Sequence, residues 1–191
     1  MKRDMMAEVA ATLAFSTIAN NDKVGVIFFS DKIEKFIPAQ KGKTHVLHII
    51  RELLSFEPSS TGTDIAQALQ YFSNAQKRHC TAFLISDFIG VEGLEKPLMI
   101  ASNRHEVNAI QIYDRRETEL PNVGLVKFHD AETGQDLWVD TAVASVREQY
   151  ASEWKQNQSR IEQLCTKTGV KRMRVRTDED YVKALMKLFK S

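Results

Sequence analysis

The sequence predicts an α/β fold: a three-layer, mostly parallel, Rossmann-like sheet with helices on both faces. Three observations predict it. Residues 24–29 read VGVIFF and residues 80–85 read CTAFLI, nearly continuous apolar runs that suit strands covered on both faces. Between such runs the apolar spacing becomes helical, most clearly at Val46, Ile49, Ile50, Leu53 and Leu54. The two kinds of segment then alternate along most of the chain, as they do where crossover helices join parallel strands.

Residues 4–19 are rich in alanine, with Met6, Val9, Ala10, Leu13 and Thr17 at helical spacing. Small residues on the other faces predict close packing against a sheet. Asn20, Asn21 and Asp22 end this helix. After the first strand, Ser30, Asp31 and Lys32 form a turn. Residues 33–37 alternate apolar and charged, as a half-exposed edge strand does, and Pro38 closes them. The helix at 46–54 follows. The loop FEPSSTGTD leads to a second helix with Ile65, Ala68, Leu69 and Phe72 on one face. The strand at 80–85 stops at Ser86 and Asp87. Leu94, Leu98 and Ala101 mark a helix, and residues 106–113 a strand ending at Asp114.

Short strands at 125–128 and 137–139 flank DAETGQ and predict an inserted β-hairpin. Val143, Val146, Tyr150, Trp154, Ile161 and Leu164 place a long helix over 141–166. Residues 170–176 form a basic strand, read as an edge protected by charge. Thr177 to Asp180 open a last helix with capping-box-like spacing, its apolar face Tyr181, Val182, Leu185 and Phe189. No repeat or linker divides the sequence, so residues 1–191 are expected to form one domain.

Composition excludes several classes. A formal net charge of +1 lacks the strong basic field of a nucleic-acid binder. Lys171, Arg172, Arg174 and Arg176 have no interleaved aromatics. Two cysteines, Cys80 and Cys165, are too few for a disulfide framework and read as free thiols. No apolar run is long enough to span a membrane, and the first residues resemble no targeting peptide. A cytoplasmic location is expected.

In a parallel α/β sheet, functional residues gather beyond the C-terminal ends of the strands. The loop at 59–64, Asp87 and Asp114 fall there. The plainer reading is that Thr63 or Asp64 caps a helix and that the two aspartates are solvated loop acids. His45 and His48 lie three apart on a helix, without a nearby cluster to complete a metal site. His79, His105 and His129 are isolated, and no cysteine–histidine pairing is suggested locally.

The blocks NNDKVGVIFFSDKIEKFIPAQKGKTHVLHIIREL, GTDIAQAL, FLISDF and YDRRETELPNVGLVKFHDAETG resemble a bacterial family of von Willebrand factor A-like proteins, domain-of-unknown-function family 58. The likeness runs to TDEDYVKAL near the end. It implies a cytoplasmic binding module working beside a MoxR-type AAA+ ATPase. It also implies a metal-ion-dependent adhesion site for Mg²⁺, in which Thr63 and Asp87 match the threonine and the late aspartate. The sequence contains no D-x-S-x-S, the motif that would precede the first helix. On that resemblance the domain is N-terminally truncated, its first strand is missing, and metal binding is expected to be weak or absent. The gap would be filled by another element or by a second copy, giving a homodimer.

The leading expectation is therefore a non-enzymatic protein–protein interaction module, an adaptor or recognition component. The alternative is a Mg-dependent phosphoryl-transfer or hydrolase enzyme using Asp87, although no second acid or lysine stands at a fixed spacing from it. A third reading is a structural, oligomerising fragment.

Overall fold

A computed structural model of the chain describes residues 2–129 and 136–188. Helix α1 (Lys2–Ala19) leads into strands β1 (Val24–Phe29) and β2 (Ile33–Gln40). Helices α2 (Lys43–Ser55) and α3 (Ile65–Ala75) follow, then β3 (Thr81–Ser86), α4 (Glu95–Ser102) and β4 (Glu106–Tyr113). One helical turn, α5 (Arg115–Thr118), precedes β5 (Leu125–His129) and β6 (Asp136–Asp140). Helix α6 (Ala144–Thr168), β7 (Lys171–Arg176) and α7 (Tyr181–Leu188) complete the order. The expected hairpin loop DAETGQ and Phe189 lie outside the described residues.

The parallel part is a three-stranded sheet in the order β3-β4-β7. β1 and β2 form a separate antiparallel pair, and β5 and β6 form the expected antiparallel hairpin. Among the described strands, none joins β1 to β3. The single continuous sheet that the alternating pattern suggests is therefore divided in two.

Strand β4 organises the core because both of its faces are covered. Ile110 and Ile112 pack with Val9 and Leu13 of α1, Met173 and Val175 of β7, and Leu185 of α7. Val107 and Ala109 face the other way, into Leu98 and Ala101 of α4, Ile161 and Cys165 of α6, and Ile65 and Leu69 of α3. The period of two along the strand sorts these residues onto opposite faces. A third cluster joins Ala14 of α1 to Phe28, Ile37, Val46 and Ile49.

Three local expectations are corrected. β2 continues past Pro38 to Gln40, because the β1–β2 register shifts between Val24 and Val26 and the proline sits at that irregularity on an outer strand. Gly25 is required there: a Cβ would stand 2.7 Å from the Ile37 carbonyl oxygen. The last helix begins at Tyr181, where Asp180 Oδ1 accepts from the Val182 amide, and Thr177 is used elsewhere. Arg172 does not guard an edge, since its side chain is only 7% exposed.

Truncating Ile110 to alanine removes a fully buried side chain from beneath α1. The expected loss is about 3 kcal/mol, within the range for such cavities. Urea denaturation should show a lower midpoint with an unchanged slope.

Candidate functional site

The strand ends of β3, β4 and β7 bring Asp87, Asp114 and Thr177 to one end of the sheet. The N-terminus of α1 reaches the same end. Lys2 Nζ donates to Asp87 Oδ2 at 2.9 Å and lies 2.8 Å from Glu117 Oε1 on α5. Burial by itself lowers the lysine pKa; the hydrogen bonds that the ammonium donates to Glu117 and Asp87 outweigh it and raise the pKa above its ordinary value.

Asp114 is occupied structurally. Its Oδ1 accepts from the Arg116 amide at 2.9 Å, capping α5, and its Oδ2 accepts from Thr177 Oγ1 at 2.8 Å. Those two bonds, the backbone one foremost, hold the carboxyl below the usual carboxylate range. Asp114 thus ties the end of β4 to the end of β7.

The loop after β3 is tightly determined. Phe88 is buried and sits at φ 56°, a region that bulky residues rarely adopt. Such strain persists only where the surroundings over-determine it. Here Phe88 N donates to Ser86 Oγ at 3.2 Å, Asn157 Nδ2 donates to Phe88 O at 3.4 Å, and Gln111 Nε2 donates to Asp87 O at 3.0 Å. Gln111 is wholly buried in β4. Its Oε1 accepts from Arg172, whose guanidinium also reaches Gln158 and Glu162. A polar chain therefore runs from β7 through β4 to the Asp87 backbone. Sequence reasoning missed it; Gln111 between Ile110 and Ile112 was the available signal.

The loop at 59–64 is held from β1 and β2. Asp64 N donates to Ser30 O at 2.8 Å, and Asp64 Oδ1 caps α3 by accepting from Gln67 N at 2.8 Å. Glu34 accepts from Ser59 N and Oγ and from Ser30 Oγ, and these bonds, that of Ser30 first, depress its pKa. Thr63 itself is exposed.

A cation at Asp87 would compete with contacts that the carboxylate already makes. Mg²⁺ wants near-octahedral oxygen donors and dehydrates reluctantly. The Asp87 carboxylate is already neutralised by the Lys2 ammonium, and its Oδ1 accepts from Ile89 N at 3.4 Å. Among the described residues, no group of three His, Cys, Asp or Glu side chains is arranged to hold a metal.

Elsewhere, Cys80 Sγ lies 3.6 Å from His105 Nδ1, a pairing the local sequence concealed because 25 residues separate them. His79 is not isolated either, with its ring 6.4 Å from that of His105. Burial pushes the Cys80 thiol up, and burial, then His79 and Arg104, push the His105 imidazole down. Both shifts favour neutral groups, the opposite of an activated thiolate pair. Cys80 and Cys165 are free thiols. His45 Nε2 donates to Val24 O at 2.9 Å, while His48 faces Arg51 and Glu52, so the two histidines serve separate contacts.

The strand order and the polar cluster at the strand ends define an α/β domain of Rossmann-like type. The chain belongs to the family described as protein of unknown function DUF58, which matches residues 1–160. Uncharacterized proteins of Mycobacterium bovis and Mycobacterium tuberculosis are 27% identical over 194 residues, covering 100% of this chain. The chain spans 60% of the length of those relatives. An uncharacterized protein of Mycobacterium avium is 29% identical over 159 residues, covering 81% of this chain and 92% of that protein. Two solved structures share the fold: an aerotolerance-related membrane protein from Bacteroides fragilis (TM-score 0.59, 18% identity) and the conserved hypothetical protein BatB from Bacteroides thetaiotaomicron (0.52, 17%). Each alignment covers 97% of this chain and 89% of the other. Among the described residues, no helix is long and apolar enough to cross a membrane.

Replacing Lys2 by methionine should cost about 1 kcal/mol at neutral pH, the scale of a partly exposed ion pair. A raised lysine pKa gives stability that is fully present below the unfolded value and lost as pH rises through the folded one. The two proteins should therefore converge in urea stability at strongly alkaline pH. Gln111→Leu should cost about 2 kcal/mol by removing the donor to the Asp87 carbonyl and one acceptor of Arg172. It should also speed hydrogen exchange at the Ile89 amide.

Proposed function

We propose that this chain is a non-enzymatic recognition module, working in the cytoplasm as the adaptor for a MoxR-type AAA+ ATPase or its client. One observation carries the reading. The β5–β6 hairpin, which leaves the domain just after α5, presents apolar side chains to solvent. On one face Leu125 is 64% exposed and Trp138 60%; on the other Leu137 is 65% exposed beside Phe128. Exposed aromatic and aliphatic clusters with a polar rim are what protein interfaces use as anchors. Lys127 and Asp136, an ion pair at 2.7 Å, supply part of that rim.

The polar groups at the strand ends support recognition over turnover. Asp114 is committed to a cap and to Thr177, and Asp87 to an internal ammonium. Glu117 stands beside Asp87, but the Lys2 ammonium between them is held by both carboxylates. No resident Mg²⁺ is needed for that docking face.

Binding of a purified MoxR-type ATPase from the same genome, followed by biolayer interferometry, tests this. Trp138→Ser should weaken binding at least about thirtyfold, the scale of a hot-spot residue, while thermal stability stays near wild type. Equal binding by the variant would refute the docking face. Mg²⁺-dependent phosphate-ester turnover that disappears with Asp87→Ala would refute the non-enzymatic reading.

A further inference from the structure

We propose that the outer edge of β7 is a strand-addition site. It takes one extended segment of a partner protein in which apolar and acidic residues alternate. The inference stands apart from the role proposed for the β5–β6 hairpin.

The parallel sheet ends at β7. Among the described strands β4 is its one neighbour, so every second residue turns its backbone N–H and C=O outward. Among the described residues, no loop or side chain bonds to those outward groups between Lys171 and Val175. Such a row stays paired with water until another extended backbone replaces it.

The two borders of that edge differ. On one face of the sheet, α1 lies over β3 and β4, and α7 lies over β7. Leu185 of α7 joins the cluster of Met173 and Val175. Tyr181 and Ala184 pack against the same cluster, and Tyr181 Oη stands 3.2 Å from Thr12 Oγ1 of α1. That flank of α7 therefore faces α1. Helical spacing puts Val182 and Met186 on the opposite flank, beyond the edge of β7. They are 44% and 53% exposed. On the other face, the period of two along β7 aligns Arg174 with Arg172. Arg172 turns under α6 to Gln158 and Glu162, and Arg176 is held by Asp178 and Glu179. Arg174 is exposed and makes no ion pair among the described residues. The same holds for Lys171 at the start of the strand.

These borders select the occupant. A bound strand alternates its side chains between two faces. One set meets the apolar overhang of Val182 and Met186; the other meets Arg174. The complementary segment is apolar on the first side and acidic on the second. A second copy does not fit, since KRMRVR set against itself opposes four cations with four. A neutral strand leaves Arg174 unmatched. The charges that ward off unspecific pairing thus admit an acidic strand.

The probe is a fluorescein-labelled, end-blocked peptide of about seven residues, near a typical strand's length, alternating glutamate with valine or leucine. Its binding to the full chain is read by anisotropy, and hydrogen exchange by mass spectrometry. It should bind saturably, and more weakly as salt is added. Arg174→Glu should weaken binding at least about tenfold while thermal stability stays near wild type. The same variant should gain affinity for a copy with lysine in place of glutamate. Val182→Ser combined with Met186→Ser should also weaken the acidic peptide. N-methylation of one alternate set of peptide amides should abolish binding and that of the other set should not, because only one row pairs with β7. With peptide at about a hundred times its Kd, exchange at the outward amides of β7 should slow by about a hundredfold. No saturable binding below about 1 mM overturns the proposal. So does binding that Arg174→Glu leaves unchanged, or that both methylated copies retain. Trp138→Ser, which tests the hairpin, should leave peptide binding unchanged, so the two readings fail separately.

Discussion

The hydrogen bond from Gln111 to the carbonyl of Asp87 is where the molecule's two halves of logic meet. Gln111 belongs to the most buried strand, and a buried amide is tolerated only when its polar atoms are paired. One end of that amide takes Arg172 from the neighbouring strand; the other holds the loop that carries Asp87. The core thus positions the strand-end residues through a polar link, where apolar packing alone would leave the loop unspecified. Phe88 shows the consequence. It is held at a positive φ by bonds from three directions, and its ring is drawn into the same apolar cluster as Ile65 and Leu98.

The same economy governs the acids that a sequence reader would choose first. Asp114 stands where reactive carboxylates stand in parallel sheets, yet it works as a cap and a strand clasp. Asp64 caps α3. Asp87 shares an ammonium with Glu117. Each carboxylate has a partner of opposite charge or an amide donor, so the end of the sheet is electrostatically settled. Apolar side chains remain outward elsewhere, among them those of the β5–β6 hairpin.

Much of the fold was legible because burial imposes periodicity. The strand at 106–113, the helix at 46–54 and the paired strands about 125–128 and 137–139 were all read from the sequence. Less legible were features set by distant partners. VGVIFF and CTAFLI announce interior strands, and their composition is interior, but the pairing that would make them so is absent among the described strands. Arg172 reads as one more charge in a basic run; only the register with β4 shows that it turns inward. Lys2 carries no local signal at all, since its partners lie 85 and 115 positions away in sequence. The candidate site was half legible for the same reason: position after a strand is local information, whereas the state of a carboxylate is not.

The link between Gln111 and Arg172 also bears on how the protein is made. The two residues are 61 positions apart, and Arg172 belongs to the last strand. During synthesis β3 and β4 can pair while β7 is still inside the ribosome, because chains emerge from the N-terminal end. Until Arg172 arrives, Gln111 Oε1 lacks its donor, and until Asn157 of α6 arrives the Phe88 carbonyl lacks its own. The strand-end surface therefore matures late, and a nascent chain cannot display it in finished form.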